Sequence, residues 1–438
     1  MMQLYGTGRS GGIRSLRDSV DWKLVICYIV LILIGWVNIY AAVHSSEPSS
    51  IFDWSCRSGK QAVWIGTAFL LDILILFVIS PRLWEVISTP AYIFVGVLLV
   101  AVIFLGVEVQ GSRSWFALGP VRFQPAEISK VTTSLLLAMV MSKPTFRIND
   151  SRCFLMVAVI IGLPMLAILG ESETGSALVY VGFLFMLYRE GLSGWYIVFL
   201  GMCIVLFILT LTTRWWISLA FLAAVCTWWM LHVLRISRKE EYMLRRIALR
   251  NTILAFLAGV AMIFATNFIF NNVLQDHQRK RIEVLLGLKE DPAGVGYNVR
   301  QSMIAIGSGG FAGKGFLHGT QTTYGFVPEQ STDFIFCTVG EEWGFIGCLI
   351  VILLYALMIR WIIKDADQSR ENFTRIYGYC LASCMFMHLF INIGMTIGLM
   401  PVIGIPLPLL SYGGSSLWAF SLMIFIFIAL DHQEKKYF

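Results

Sequence analysis

Long apolar runs alternate with short polar connections from one end of the chain to the other. An α-helix needs about 20 apolar residues to cross the hydrocarbon core of a bilayer. The pattern therefore predicts an all-α, polytopic membrane bundle of about twelve transmembrane helices. The predicted spans are 24–43, 61–80, 90–106, 124–142, 153–169, 176–188, 193–213, 217–235, 251–270, 334–359, 376–399 and 413–430.

One long polar passage, residues 271–333, separates the ninth and tenth predicted spans. It also contains apolar residues such as Ile304, Phe311 and Phe316, which give it surface to bury. Polar connections of this length are usually functional or disordered, and the apolar content favours a folded cap. Within the cap, three bases followed by apolar residues at 279–288 predict a short helix in the membrane interface.

The distribution of Lys and Arg predicts the orientation of the chain. Bases are concentrated in alternate connections, including 235–250 and 360–375, and such loops face the cytoplasm. Both termini are then cytoplasmic and the 271–333 cap is extracytoplasmic. The first run, 24–43, is too long for a cleavable signal and lacks a cleavage site, so we expect it to remain as an anchor.

We expect a single membrane domain over residues 1–438. Its predicted parts are a cytoplasmic tail at 1–23, spans one to nine within 24–270, the cap at 271–333, spans ten to twelve within 334–430 and a cytoplasmic tail at 431–438.

Composition excludes an ordinary soluble protein, because 57% of residues are hydrophobic and only 14% are charged. The net charge of +6 comes mostly from loops between spans, so it does not indicate a nucleic-acid partner. Most of the nine cysteines lie in apolar spans, where cysteine behaves as a small hydrophobe and does not suggest a disulfide framework.

Bases on the predicted outward side depart from the usual bias and have two interpretations. In the first interpretation they are solvated loop charges or contact anionic lipid head groups. In the second they form a pocket for an anionic ligand.

Polar residues open the fourth predicted span. Gln124, Glu127 and Lys130 are spaced three apart, and Pro125 suits the first turn of a helix. A carboxylate and an ammonium at the edge of hydrocarbon indicate either a functional site or a structural ion pair between helices. Glu341 and Glu342 raise the same question inside the tenth span, and we expect them to pair with a base rather than line a cavity.

Asp291 precedes Pro292, which disfavours the α region for the aspartate. Gly294 and Gly296 permit tight turns. An Asp-Pro turn alone is more often only a turn, but here the pattern places a carboxylate on a bent backbone within the cap.

Four blocks of sequence carry a resemblance to a known family. They are RFQPAEISK at 122–130, DPAGVGYNVRQSMIAIGSGGFAGKGFLHGTQ at 291–321, VPEQSTDFIF at 327–336 and GLMPVIGIPLPLLSYGGSS at 398–416. With these blocks the chain resembles the SEDS family (shape, elongation, division and sporulation proteins), and within it the RodA-like branch. The resemblance covers nearly the whole chain.

The resemblance implies a peptidoglycan glycosyltransferase of the bacterial inner membrane. Such a protein polymerises lipid II into glycan strands on the outer face during cell elongation, with undecaprenyl pyrophosphate as the leaving group. Implied partners are lipid II and the nascent strand, a class B penicillin-binding protein, other membrane proteins of the elongation complex, and membrane lipids.

The resemblance also implies roles for residues. The family's essential aspartate falls on Asp291, the candidate general base, and its glutamate and lysine fall on Glu127 and Lys130. The expected substrate-binding residues are Glu127, Lys130, Glu173, Arg113, Arg122, Gln301, Ser302 and Lys314. A metal requirement cannot be derived from the spacing of ligands, although a divalent cation such as Mg²⁺ or Mn²⁺ would suit a departing pyrophosphate.

The chain departs from the family pattern in three places. The family's QPDLGT is ESETGS at 171–176, so its aspartate becomes Glu173 and its proline becomes Ser172. The family's GAxRW is GSRSW at 111–115, with Arg113 one place early. A pair of spans near 193–235 is additional to the family's usual ten.

Two other functions remain open. Many spans and buried charges are also found in transporters, here a lipid II flippase, although the polar residues concentrate on one side. A non-catalytic scaffold that activates a penicillin-binding protein is the other alternative.

Overall fold

The computed structural model describes residues 20–44, 50–109, 112–119, 121–236, 242–274, 276–289 and 295–437, and it is predominantly helical. The helices are α1 (Trp22–Val43), α2 (Arg57–Phe77), α3 (Pro81–Leu105), α4 (Pro125–Met141), α5 (Ser151–Gly170), α6 (Thr174–Val179), α7 (Phe183–Arg189), α8 (Trp195–Thr212), α9 (Trp215–Ile236), α10 (Tyr242–Asn272), α11 (Asp276–Leu285), α12 (Val295–Ser308), α13 (Thr320–Thr323), α14 (Ile335–Gln368), α15 (Asn372–Thr396) and α16 (Gly414–Tyr437). Three short strands are β1 (Val107–Val109), β2 (Ser112–Leu118) and β3 (Val121–Phe123).

Capping side chains and prolines explain where several helices begin. The side chain of Asp21 caps α1 by accepting a hydrogen bond from the backbone N–H of Lys23 at 2.9 Å. Proline occupies the first turn of α3 and of α4, at Pro81 and Pro125, where its missing N–H costs nothing. Pro125 is therefore the first residue of α4, and it sets the positions along the helix of the polar residues that follow.

The chain forms two compact units. The first contains residues 1–192 and 298–438, and its most buried long helices are α15 and α16. Helix α4 packs against both and is buried along nearly its whole length. A central helix buried on all sides must satisfy its polar side chains within the protein.

Tight backbone contacts hold α1 onto this core. A side chain at Gly35 would place its Cβ only 2.6 Å from the Cα atom of Leu410. Only glycine allows the helix to approach the 407–412 segment so closely.

An antiparallel sheet of three strands, in the order β1-β2-β3, lies between α3 and α4. The pairs Phe116↔Phe123 and Leu118↔Val121 close a hairpin at Gly119, which has a φ of 65°. The all-α class holds for the bundle, but the sequence analysis missed this sheet.

The second unit contains residues 193–297. Helices α8, α9 and α10 pack together through a small core of Leu206, Leu222 and Ile263. Gly259 on α10 lies against Leu222, with 2.6 Å from a hypothetical Cβ to Cδ2, so these two helices are closely apposed.

Ten helices among the described residues are long and apolar enough to cross a membrane, so the protein is a multi-pass membrane protein. The two remaining predicted spans correspond to Pro125–Met141, with 17 residues, and to the shorter apolar segment Thr174–Arg189. The count of twelve, the cap's position between spans nine and ten, and the single-domain organisation stay predictions.

The short helix predicted at 279–288 is observed as α11, Asp276–Leu285, which begins and ends three residues earlier. Its placement in the membrane interface stays a prediction.

Candidate functional site

The first two turns of α4 carry a buried ion pair. The Nζ atom of Lys130 lies 2.8 Å from Oε1 of Glu127 and 2.8 Å from Nε2 of His388 on α15. Glu127 is 1% exposed and Lys130 is fully buried. Glu127 and Lys130 thus form an ion pair within one helix, and His388 of α15 joins it.

The hydrogen bonds define the tautomer of His388. Its Nδ1 lies 3.1 Å from the carbonyl oxygen of Pro406, which can only accept, so Nδ1 carries the proton. Nε2 is then the acceptor for the Lys130 ammonium, and the imidazole is neutral. The ring of Phe420, with its centroid 5.5 Å from Nζ, covers the ammonium on another side.

Gln124 connects this pair to the loop between α5 and α6. Its Nε2 donates to Oε1 of Glu173 at 2.5 Å. Its backbone N–H donates to the hydroxyl of Ser415, which in turn donates to the carbonyl of Arg122. Three separate blocks of the sequence, around 124, 173 and 415, thus meet at the start of α4.

Glu171 and Glu173 flank a turn of unusual backbone. Ser172 between them has a φ of 64°, a left-handed conformation that is uncommon for residues other than glycine. The turn directs the Glu171 carboxyl inward, where the side chain is 2% exposed.

Both carboxyl groups hold their protons more tightly than usual. Burial, together with the charge of Glu173, raises the pKa of Glu171 to about 9. Burial also raises the pKa of Glu173, the charge of Glu127 raises it further, and the hydrogen bond from Gln124 opposes the shift. At neutral pH the Glu171 carboxyl is therefore protonated and can donate a hydrogen bond.

The site has unused hydrogen-bonding capacity. Among the described residues at the start of α4 and in the loop between α5 and α6, four buried carboxyl oxygens have no hydrogen-bond partner: Oε2 of Glu127, both oxygens of Glu171 and Oε2 of Glu173. Buried polar atoms are nearly always paired in folded proteins, so such a group of atoms indicates a place for a polar ligand.

Lys314 lies in a different cluster. Its Nζ is 2.7 Å from Oε1 of Glu341 and 2.8 Å from the hydroxyl of Thr320. The backbone N–H groups of Gln321 and Thr322 also donate to Glu341. The expectation that Glu341 pairs with a base is confirmed, whereas Glu342 accepts from the backbone N–H of Leu317.

The remaining predicted residues are dispersed. Arg113 on β2 is 60% exposed and lies 3.5 Å from Glu108, and the side chain of Arg122 is exposed. Ser302 is buried and donates to the carbonyl of Thr396, and Gln301 is half-buried beside it on α12. The structure brings Glu127, Lys130 and Glu173 together and does not place these four in the same cluster.

Asp291, the candidate general base, lies outside the described residues. Among the residues that are described, no group of three or more His, Cys, Asp or Glu side chains is arranged to hold a metal ion. Substrate binding and catalysis by the predicted residues, and a role for Mg²⁺ or Mn²⁺, stay predictions.

Sequence reasoning missed His388 and gave Glu171 no role. His388 is a lone ionisable residue in an apolar span, and that alone marks a position where function should be suspected. Glu171 offered no comparable indication, because a carboxylate at the end of a span usually faces solvent.

Comparison with known proteins agrees with the resemblance. The profile of the FtsW/RodA/SpoVE family, described as cell cycle protein, matches residues 21–243 and 242–436. The chain is 34% identical to the peptidoglycan glycosyltransferase MrdB of Escherichia coli K12, over 80% of this chain and 78% of that protein. It is 31% identical to the peptidoglycan glycosyltransferase RodA of Treponema pallidum, over 96% of this chain and 99% of that protein.

A solved structure has the same fold. It comes from work on polymerisation and crosslinking by a peptidoglycan synthase complex, and it matches with a TM-score of 0.67 and 25% identity, over 95% of this chain and 98% of that chain. The match to the family profile spans residues of both units and all four blocks of sequence. The chain therefore belongs to the FtsW/RodA/SpoVE family, the SEDS proteins, and is RodA-like within it.

Proposed function

We propose that this protein, a peptidoglycan glycosyltransferase, polymerises lipid II into glycan strands on the outer face of the bacterial inner membrane during cell elongation. Its relatives MrdB and RodA, similar over most of their length, support the activity. The distribution of bases supports the proposed orientation, with both termini in the cytoplasm.

The observation that supports the proposal most strongly is the buried group of Glu127, Lys130 and His388 at the start of helix α4. Removing an ammonium and a carboxylate from water costs several kcal/mol for each ion, roughly, and the pair recovers this only with good geometry. An ammonium has three N–H donors, and Lys130 uses two of them on Glu127 and His388. The positive charge kept at this buried position supports a role for Lys130 beside an anionic group such as the pyrophosphate of a lipid-linked sugar.

Asp291 is the proposed general base. Its carboxylate takes the proton from the acceptor hydroxyl while that oxygen attacks the anomeric carbon of the donor with inversion. The bond from the anomeric carbon to the pyrophosphate oxygen breaks, and undecaprenyl pyrophosphate leaves with the electron pair. General-base catalysis contributes about 10²–10⁴ to a rate, and positive charge near the leaving oxygen stabilises the transition state further.

A class B penicillin-binding protein is the proposed partner, because a glycan strand needs crosslinking after polymerisation. The similar chain from a synthase complex supports such an assembly. Lipid II and the nascent strand are the substrates. Other membrane proteins of the elongation complex and bilayer lipids are further partners.

Polymerisation by the purified protein tests this function. The protein, reconstituted with its penicillin-binding partner and fluorescent lipid II, should form glycan strands that a gel resolves. Asp291→Asn should abolish the product, whereas Asp276→Asn, a matched change at an exposed aspartate of α11, should leave it unchanged.

Two outcomes would contradict the proposal. If Asp291→Asn makes polymer at the rate of the unmodified protein, Asp291 is not the general base. If neither the unmodified protein nor the variant makes polymer, a scaffold is favoured. Movement of lipid II between leaflets of proteoliposomes without any polymer would favour a flippase.

A further inference from the structure

Helices α9 and α10 carry a surface that glycosyl transfer does not use. Between α9 and α10 lies an open groove with a volume of about 310 Å³. This is near the lower limit for small-ligand sites, at about 300 Å³. Its lining residues are Cys226, Thr227, Met230, Leu231, Thr252, Ile253, Phe256 and Leu257.

The surface of this groove is apolar in spite of its two threonines. The hydroxyl of Thr227 donates to the carbonyl of Ala223 at 2.7 Å, and that of Thr252 donates to the carbonyl of Ala248 at 2.8 Å. Both polar groups are thus satisfied within their own helices. The groove suits a hydrocarbon chain rather than a polar molecule.

Arginines lie at one end of the groove. Arg235 follows the lining residue Leu231 by four positions on α9, so both occupy the same helix face. On α10, Arg250 precedes the lining residue Ile253 by three positions, and Arg246 lies one turn further. All three arginine side chains are exposed.

The connection between the helices brings these arginines to the same end. Helix α9 ends at Ile236 and α10 begins at Tyr242, so the two form an antiparallel pair joined there. The joining residues 237–241 lie outside the described part of the chain and contain two bases and two acids, which leaves the local positive charge unchanged. At the other end of α9 the exposed Trp215 and Trp216 are residues typical of a membrane interface.

We propose that this groove binds an anionic glycerophospholipid of the surrounding bilayer. An acyl chain lies between α9 and α10, and the phosphate is held by Arg235, Arg246 and Arg250. Bases next to an interhelical groove attract anionic head groups, and the apolar walls explain why a lipid binds rather than free phosphate. The proposal goes beyond the glycosyltransferase function and shares no residue with it.

The test measures lipid binding to the full-length protein in detergent by native mass spectrometry. Phosphatidylglycerol, or cardiolipin, should bind at least tenfold more tightly than phosphatidylcholine with the same acyl chains. The triple variant Arg235→Gln/Arg246→Gln/Arg250→Gln should lose that preference. A matched triple variant at exposed bases elsewhere, Arg82→Gln/Arg147→Gln/Arg152→Gln, should keep it.

A second variant tests the groove itself. Thr227→Trp fills the apolar space without changing charge, and it should weaken binding of phosphatidylglycerol by at least tenfold. Equal affinity for anionic and neutral lipids would overturn the proposal, as would the same loss in both triple variants. Competition by glycerol phosphate as strong as by the intact lipid would show that only the head group is recognised, which would also overturn it.

Discussion

A buried ammonium depends on the acceptors around it, and Lys130 has two of defined type: the Glu127 carboxylate and the unprotonated nitrogen of His388. The carbonyl of Pro406 accepts a hydrogen bond from the protonated Nδ1 of His388 and so sets its neutral tautomer. This tautomer leaves Nε2 free of a proton, so that it can accept a hydrogen bond from Lys130. This arrangement fits both explanations for the ion pair, a functional one and a purely structural one. The two explanations differ in what happens when both charges are removed together.

Lys130→Met should destabilise the protein by about 3–5 kcal/mol, because Glu127 is left as an unpaired buried charge. The double variant Glu127→Gln/Lys130→Met should regain most of that loss, since no charge remains. Thermal unfolding in detergent measures both effects. If the pair serves the reaction, lipid II polymerisation stays absent in the stable double variant, and restored polymerisation would contradict a functional role for Lys130.

Glu171 should make stability depend on pH. Its pKa is about 9 in the folded protein against an ordinary value of 4.5, so between these values the folded state keeps a proton that the unfolded state has lost. Stability contributed by this group therefore falls as pH rises through that window, by up to about 1.4 kcal/mol per pH unit. The melting temperature at pH 5, 7 and 9 should fall less steeply in Glu171→Gln than in the unmodified protein.

Glu85→Gln, a change at an exposed carboxylate, serves as the control for Glu171. Its melting temperatures should follow those of the unmodified protein across the same pH range. Identical pH profiles for Glu171→Gln and the unmodified protein would show that the Glu171 carboxyl is not held protonated.

At the scale of elements, a kink in α14 holds the glycine-rich segment that precedes it. Gly344 has φ 66° and ψ −160°, which takes neighbouring backbone groups out of the helix. The backbone carbonyls of Glu341 and Glu342 then accept hydrogen bonds from the backbone N–H groups of Lys314 and Gly315, respectively. The kink and the Glu341 side chain together fix residues 310–322.

Gly344→Ala should destabilise the protein by about 3 kcal/mol or more, because that backbone conformation is almost restricted to glycine. A Cβ atom would also lie 2.3 Å from the backbone nitrogen of Gly313. Gly162→Ala in α5 is the matched control, since its Cβ would meet nothing within 4 Å and alanine favours a helix. Thermal unfolding compares the two, and an equal melting temperature for both variants would contradict the role of the kink.

Hydrophobic periodicity was sufficient for the long helices and insufficient for short or irregular elements. The segment 107–123 has few residues per strand and a turn at Gly119, so it gives no run long enough to be distinguished from a loop. The kink at Gly344 lies inside the predicted span 334–359, where Gly340 and Gly347 also occur, so the sequence does not distinguish Gly344 as the position of a kink. Contacts between distant segments, such as His388 with Lys130, depend on packing that a pattern along the chain does not contain.

The departure from the family pattern at 171–176 has a structural consequence. The family's proline is Ser172 here, and its φ of 64° is unavailable to proline, whose φ is held near −65°. The loop can therefore turn Glu171 inward in a way that the family's sequence could not. The sequence showed the substitution, but the resulting direction of Glu171 required the structure.

At the scale of the whole molecule, charge and hydropathy predict the sidedness on which the proposed chemistry depends. Bases concentrate in connections such as 143–152 and 235–250, which are therefore predicted to face the cytoplasm. The proposed polymerisation of lipid II needs a site on the opposite, outward side. Helices α8 and α9 correspond to the predicted extra pair of spans near 193–235. A pair of spans preserves the orientation of everything that follows.

Cysteine accessibility in intact cells tests this orientation. In a variant whose nine native cysteines are replaced, and which still polymerises lipid II, we introduce Lys289→Cys or Arg152→Cys, both at exposed positions. With the outer membrane opened, an impermeant maleimide should label position 289 and leave position 152 unlabelled until the inner membrane is permeabilised. The opposite pattern would place the cap in the cytoplasm, where the proposed extracytoplasmic polymerisation could not take place.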